Sequence, residues 1–575
     1  MEVDNYWVRW SKSRLTRRRL TAGAAAGGLA VALAGAGACG KGSGTSGSSG
    51  SGAVSSTDSK PARGGYLHHL AAYSAANIDP ATTEDSTAYG FVETDWYDPL
   101  TRIEYKPGVD WRIANNVTPW LAERFEQVDK TTYTFNLRKG VKFHNGDLLS
   151  AQDVVFAYGR IRDPATKANP NVRMYLDSVD KVEAPDDSTV RITTKRPNPD
   201  FLPGISGRNV PIVSQKFVES GADITKTEMG TGPFKLTAYQ KDGTATATRF
   251  ADSWLANGPY LDGIKIVLKT DDSTASAAFS AGEADIVSLH DRKEADPVLK
   301  STPKAKSAEF PVEEIHGVYF NETKAPFSDI RVRKAIHLTL DRQAADKAVN
   351  FGDGLIGGPI VISGKTGWGV PPDDLKGLPG FRQPKAQDVA EAKRLMSEAG
   401  FASGFKTTLG FSNTNGSAPA YAQVVQAQLK QIGIDTALQP LDNASFTQRR
   451  VKPDFDLMIV SEGSLSTPGT AAFSSFYSSG VYAKPAGVNN PDLDALIEAQ
   501  GAEFDYNKRG SIFAQIERMI LENAYKAPIS TPKAIRLNQP WVHDWVDNRS
   551  AHQTIMNPDA IWMSIEQAPA SRRQL

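Results

Sequence analysis

Thr132-Tyr133-Thr134-Phe135-Asn136-Leu137 alternates polar and apolar positions with period two, the pattern of a strand with one buried face. Residues 65–70 read as an earlier strand, and Val141-Lys142-Phe143-His144 continues the extended pattern to Asn145-Gly146. Both of those residues tolerate positive φ, so a tight turn is expected there. Ser150 stands three residues before Asp153, a capping-box spacing that starts a helix over 151–160. Helical periodicity returns from Ser328 to Ile336, from Asp388 to Ala399, from Tyr421 to Ile432, from Pro491 to Gln500 and from Arg509 to Asn523. Gly400 and Gly433 follow two of these segments in the position of left-handed caps, and a strand over 434–438 follows the second. Strands and helices interleave without a strict βαβ repeat, which predicts an α/β fold built of lobes with mixed sheets.

Length and charge refine this picture. A chain of 575 residues is too long for one core and predicts two or three lobes. Basic and acidic residues balance at 65 each, so no strongly basic field argues for nucleic acid. Six basic residues fall within the first 38 positions; beyond them the count is 59 basic to 63 acidic, a mildly acidic body.

The first 39 residues read as an export address. Arg17-Arg18-Arg19 precedes an uncharged run of Ala, Gly, Leu and Val to Ala38, too short and Gly-rich for a membrane span. The arginines and the weakly apolar run resemble a twin-arginine signal, with a general secretory route as the alternative. Ala36-Gly37-Ala38-Cys39-Gly40 resembles a lipobox, with Ala36 where that motif normally has Leu. Cys39, the only cysteine, is therefore expected to be acylated, and two acyl anchors would hold the protein at the membrane. Residues 40–63 open on a Gly/Ser/Thr-rich tether; twenty such residues span roughly 25 Å as a flexible coil.

Chemical motifs are few. Gly352-Asp353-Gly354-Leu355-Ile356-Gly357 matches G-x-G-x-x-G but follows a helix and precedes Gly358-Pro359, the wrong context for a dinucleotide. Ser363-Gly364-Lys365-Thr366 has Pro359 where a phosphate loop needs its first glycine. His68 and His69 point to opposite faces of a strand and cannot share a metal. There is no H-E-x-x-H, cysteine pair or G-x-S-x-G, so no cofactor and no enzyme activity are expected. Trp96, Tyr97, Trp111, Trp120, Trp254 and Trp368 are aromatic candidates for stacking on a ligand.

Several longer blocks carry a resemblance. Leu121-Ala122-Glu123-Arg124 leads into 133–146 and on to Ser150-Ala151-Gln152-Asp153-Val154-Val155-Phe156; Gly230-Thr231-Gly232-Pro233-Phe234 and Gly282-Glu283-Ala284-Asp285-Ile286 follow. Asn321 through Asp329-Ile330-Arg331-Val332-Arg333-Lys334-Ala335 to Asp341-Arg342, Ala392 to Phe401, and the strand entry Ile432-Gly433-Ile434 complete the set. Over about residues 64–565 the chain resembles the family-5 extracellular solute-binding proteins, the dipeptide, oligopeptide and nickel binders of ABC importers.

The resemblance implies a periplasmic-binding-protein-like fold of two lobes and an extra domain. The first lobe would comprise 64–106, 227–320 and 541–570, the extra domain 107–226 and the second lobe 321–540. It implies a monomer that traps a small solute, peptide or peptide-like, between lobes by hinge closure and delivers it to permease and ATPase subunits. A sensory role on the same fold stays open. Peptide binders of the family pair the ligand's α-amine with an aspartate, because a buried ammonium needs a charge partner. Ser464 or Leu465 stands in that place here and Glu462 stands where a tryptophan is usual. Either Glu462 supplies the carboxylate, or the ligand is a modified peptide, a sugar or a chelate. By position Tyr73, Ser74, Asn77, Tyr319, Asn321, Ser461, Glu462 and Ser464 are the candidate ligand-binding residues.

Overall fold

In the computed structural model, Thr132–Leu137 is a strand whose residues alternate between half-buried and buried, as the period-two pattern requires. The structure describes residues 60–574 except 72–76, 84–95, 104–116, 207–209, 241–242, 257, 269–270, 290–291, 312–313, 361–367, 414–415, 453, 464–486 and 545–559. The export segment, Cys39, most of the tether and residues 363–366 therefore lie outside the described residues. Among those described, no helix is long and apolar enough to cross a membrane.

Local signals act as their chemistry dictates. Asp153 Oδ2 accepts from Ser150 N at 2.9 Å and Ser150 Oγ at 2.8 Å, opening the helix Ala151–Arg162. Val141 to His144 does not form a strand. The chain reverses at once through Gly146 (φ +91°), leaving only the bridge Lys142–Leu148. Gly433 adopts φ +82° and ends the helical segment Ala418–Ile432 before the strand Ile434–Leu441.

Three sheets organise the chain. The first has seven strands in the order Lys306–Pro311, Lys533–Asn538, Ile286–Leu289, Tyr66–Ala71, Gly263–Leu268, Thr244–Arg249 and Phe234–Tyr239. Tyr66–Ala71 sits near its middle, parallel to both neighbours. The second sheet has five: Ile434–Leu441, Phe405–Ser412, Leu457–Gly463, Glu314–Phe320 and Lys526–Pro528. An antiparallel sheet of Ala122–Gln127, Thr132–Leu137, Thr189–Thr194 and Val179–Asp186 forms the extra domain.

Sheet membership corrects two boundaries. Glu314–Phe320, placed in the first lobe by a limit at 320, pairs with Leu457–Gly463 in the second. Lys533–Asn538, placed in the second lobe by a limit at 540, pairs with Ile286–Leu289 and Lys306–Pro311 in the first. The chain therefore crosses between lobes twice, between Pro311 and Glu314 and between Pro528 and Lys533. A strand's sheet is decided by partners more than a hundred residues away, which no local motif reveals.

The cores follow the sheets. Leu67, Trp96 and Tyr97 share one core with Phe135, Phe143 and Tyr158, so the first lobe and the extra domain pack as one body. Val318, Leu409 and Leu457 pack against the helices Ile330–Thr339, Ala386–Glu398 and Ala418–Leu429. A separate core of Trp368, Leu493, Phe513 and Ile520 lies under the helices Pro491–Gly501 and Tyr506–Glu522. Each such side chain, fully buried, contributes about 1.5–3 kcal/mol. Gly230 lets the backbone pass where a Cβ would collide with the Trp96 carbonyl and the Tyr97 ring.

Candidate functional site: the junction between the lobes

In open α/β sheets, ligands sit beyond the carboxyl ends of the parallel strands. Here the second lobe presents that end at the point where the chain crosses. Glu314 pairs with Gly463, Ile315 with Glu462 and His316 with Ser461, just past the first crossing. Phe405–Ser412 runs parallel to Leu457–Gly463, so Ser412 and Asn413 emerge at the same end.

The helix Ala418–Leu429 begins there too. Ser417 Oγ lies 3.0 Å from His316 Nε2, and the His316 ring stacks on Tyr421 with centroids 4.6 Å apart. Tyr421 Oη reaches Ser530 Oγ at 2.8 Å and accepts from Asn350 Nδ2 at 2.8 Å; Asn350 Nδ2 also donates to Asp346 Oδ1 at 2.7 Å. Ser530 lies in the second crossing, which is bound to the second lobe's sheet by Ile529 N to His316 O (2.7 Å) and His316 N to Ser530 O (3.1 Å). Leu355 and Thr531 exchange two further backbone bonds of 2.8 Å. Burial raises the Asp346 carboxyl pKa despite the Asn350 donor, and burial pushes the Tyr421 hydroxyl up to about 12. The result is a fully coupled polar network that fixes the crossing segment against one lobe.

The first lobe contributes charge. Arg292 follows the strand Ile286–Leu289 and pairs with Asp296 and Glu309 in its own lobe. Its Nε also reaches Asp353 Oδ2 of the second lobe at 3.2 Å. A small cavity lined by Arg292, Glu309, Asn350, Asp353 and Lys533 lies between the lobes at this point.

The residues singled out from sequence fall in several places. Tyr73, Ser74, Ser464 and Cys39 lie outside the described residues. Ser461 is half-buried at the junction end of its strand, opposite His316. The Glu462 backbone pairs with Ile315, while its side chain lies outside the described residues. Asn77 Oδ1 accepts from Asp79 N (2.9 Å) and Thr82 Oγ1 (3.4 Å), which closes a turn.

Tyr319 and Asn321, expected near the lobe junction, lie toward the other end of the strand. Asn321 is five residues beyond His316, roughly 17 Å at strand rise. Its Nδ2 donates to Phe455 O at 2.9 Å and its Oδ1 accepts from Thr323, so it holds the bend before the helix Ile330–Thr339. Tyr319 is buried among Leu441, Phe455 and Met458, with Lys526 Nζ 5.2 Å from its ring.

The aromatic candidates also find structural work. Trp96 and Tyr97 are core. The Trp120 and Trp254 indoles donate to Asp98 at 2.8 and 3.0 Å, holding a carboxyl whose pKa burial raises. Trp368 is buried and donates to Tyr506 O at 3.1 Å. Trp111 lies outside the described residues. Sequence reading missed His316, Asn350, Ser417, Tyr421 and Ser530, since no spacing links positions brought together only by sheet register.

Known proteins share this architecture. The chain is 25% identical over 525 residues to heme-binding protein A of Haemophilus influenzae, covering 86% of this chain and 92% of that protein. It is 26% identical over 505 residues to di/tripeptide-binding protein 1 of Pseudomonas aeruginosa, with 82% and 90% covered. The crystal structure of an ABC transporter substrate-binding protein from Listeria monocytogenes superposes with a TM-score of 0.73 at 25% identity, over 87% of this chain and 99% of that one. Residues 116–484 match the middle part of bacterial extracellular solute-binding proteins, family 5, and the chain belongs to that family.

Proposed function

We propose that this protein is the extracytoplasmic capture subunit of an ABC importer, binding a peptide or peptide-like solute between its two lobes. The observation that carries this reading is the double crossing beside a polar junction. Two short segments join lobes that otherwise have separate sheets, the arrangement hinge closure requires, and the half-buried Ser417 and Ser461 bring hydroxyl groups to the junction. Relatives named for di- and tripeptides support the ligand class. Tyr73, Ser74, Ser461, Glu462 and Ser464 are proposed as cleft residues, with Glu462 the partner for a ligand amine; Asn77 would act by shaping the turn below Ser74. Capture without chemical turnover is proposed, as is attachment to the membrane through acylated Cys39 after twin-arginine export.

Native mass spectrometry of the protein purified without denaturation tests this by identifying carried ligand. A thermal-shift screen with pooled di- and tripeptides, hemin and sugars complements it. A ligand at a hundredfold its Kd adds about 2.7 kcal/mol to stability. Peptides that shift nothing while hemin or a sugar does would overturn the peptide assignment. Edman or mass analysis of the membrane-bound form would show whether the mature chain starts at an acylated Cys39.

A further inference from the structure

Asp200 and Arg509 join two bodies that, among the described residues, share no sheet and no core. Asp200 precedes the short helix Phe201–Ile205, whose Phe201 ring packs 4.7 Å from Tyr133 in the core common to the extra domain and the first lobe. Arg509 lies in the first turn of the helix Tyr506–Glu522, over the separate core of Trp368 and Phe513. Arg509 Nη1 donates to Asp200 Oδ1 at 2.6 Å and Nη2 to Oδ2 at 2.5 Å, with side chains only 5% and 9% exposed. This is the planar, bidentate, charge-assisted form of the interaction.

The guanidinium is also held from its own side. Gln500 Oε1 accepts from Nε at 3.2 Å and Nη2 at 3.0 Å, and the Trp368 ring lies 5.2 Å from the guanidinium carbon. Arg509 is thus positioned within the second lobe and aimed at a carboxylate of the extra domain. Neither residue lies in a crossing segment. The helix ends at Glu522 and leads through three residues into the strand Lys526–Pro528, which runs into the second crossing.

Two crossings alone form a hinge, and a further tie between the lobes, outside the crossing segments, sets how far it opens. A buried bidentate pair also has two stable arrangements. It is either closed and desolvated, or separated with both charges in water, because a half-open pair leaves charges buried without partners. We propose that Asp200 and Arg509 form a latch that closes when the second lobe meets the extra domain and breaks when the cleft opens. The inference rests on the reading of the protein as a cleft-closing binder, but not on the identity of the ligand.

Small-angle X-ray scattering on the ligand-free full chain tests it with the wild type, Asp200→Asn, Arg509→Gln and the charge-swapped double variant Asp200→Arg/Arg509→Asp. Each single variant is expected to raise the radius of gyration and maximum dimension while keeping the wild-type far-UV circular dichroism. The swap is expected to return both dimensions toward wild type. Unchanged dimensions in both single variants would overturn the latch. Loss of the folded circular dichroism in either would overturn it too, since the pair would then be a fixed structural tie. Because no ligand is present, these outcomes are independent of the peptide assignment.

Discussion

Ser417 Oγ and His316 Nε2 meet at 3.0 Å although 101 residues separate them in sequence. Ser417 stands at the start of a helix and His316 near the start of a strand, and the two elements bring both to the junction end of the second lobe. Together with the stacking of His316 on Tyr421, this contact ties the helix Ala418–Leu429 to the strand that enters from the first lobe. Ser417 is half-buried, whereas His316 is buried.

Ser417→Ala is expected to weaken ligand binding more than folding. Loss of one neutral hydrogen bond is about 0.5–1.5 kcal/mol, or roughly two- to twelvefold in Kd. Isothermal titration with the ligand identified by mass spectrometry, beside a thermal melt, checks this. Equal Kd values for the two proteins would remove Ser417 from the site.

Tyr421→Phe is expected to destabilise the protein by about 1–3 kcal/mol. The hydroxyl joins Asn350 and Ser530 in a buried network, and its removal strands part of their hydrogen-bonding capacity. Urea unfolding monitored by tryptophan fluorescence measures it; a change below about 0.3 kcal/mol would show that the network relaxes without the phenol.

Glu322 gives stability a pH dependence of predictable sign. Burial raises its pKa from 4.5 to about 7, with Arg333 at 3.2 Å opposing the shift. Between those values the folded state holds the proton that the unfolded state has released. The group's contribution to stability therefore falls as pH rises through this window. Glu322→Gln should gain on the wild type across it, by about 1–3 kcal/mol, and by nothing further above or below. Arg333 tolerates the change because Phe327 O and Asn523 O still accept from it at 2.8 and 3.0 Å. Unfolding free energies of both proteins at pH 4, 5.5, 7 and 8 decide the matter; a difference that does not change with pH refutes the assignment.

Gly230→Ala is expected to cost about 1–3 kcal/mol or more, since the added Cβ has no room beside the Trp96 carbonyl and Tyr97 ring. Gly146→Ala, where a Cβ meets nothing but the backbone needs φ +91°, should cost less and only through strain. Thermal melts of the pair separate close packing from backbone conformation; a larger loss at Gly146 would reverse the argument.

The amino-acid sequence alone determined the features whose causes lie within a few residues. Thr132–Leu137 is a strand because its alternation suits one buried face. Ser150 and Asp153 cap a helix because a carboxylate three residues on can reach back. Gly433 ends another because it adopts the left-handed conformation without steric cost. Together with the blocks around Gly230, Asp285 and Arg333, these were enough to recognise the family and its α/β lobes. Only the tertiary structure decided which sheet receives Glu314–Phe320 and Lys533–Asn538, and hence where the chain crosses between lobes. It alone joined His316 to Ser417, Tyr421 to Ser530, Asp200 to Arg509 and Asn321 to Phe455. The physical reason is one of range. A cap or a turn closes a hydrogen bond over three or four residues and leaves its pattern in the sequence. A sheet register or a charge pair between distant residues is selected among hundreds of possible partners by what the whole chain can bury at once, and leaves no spacing to read.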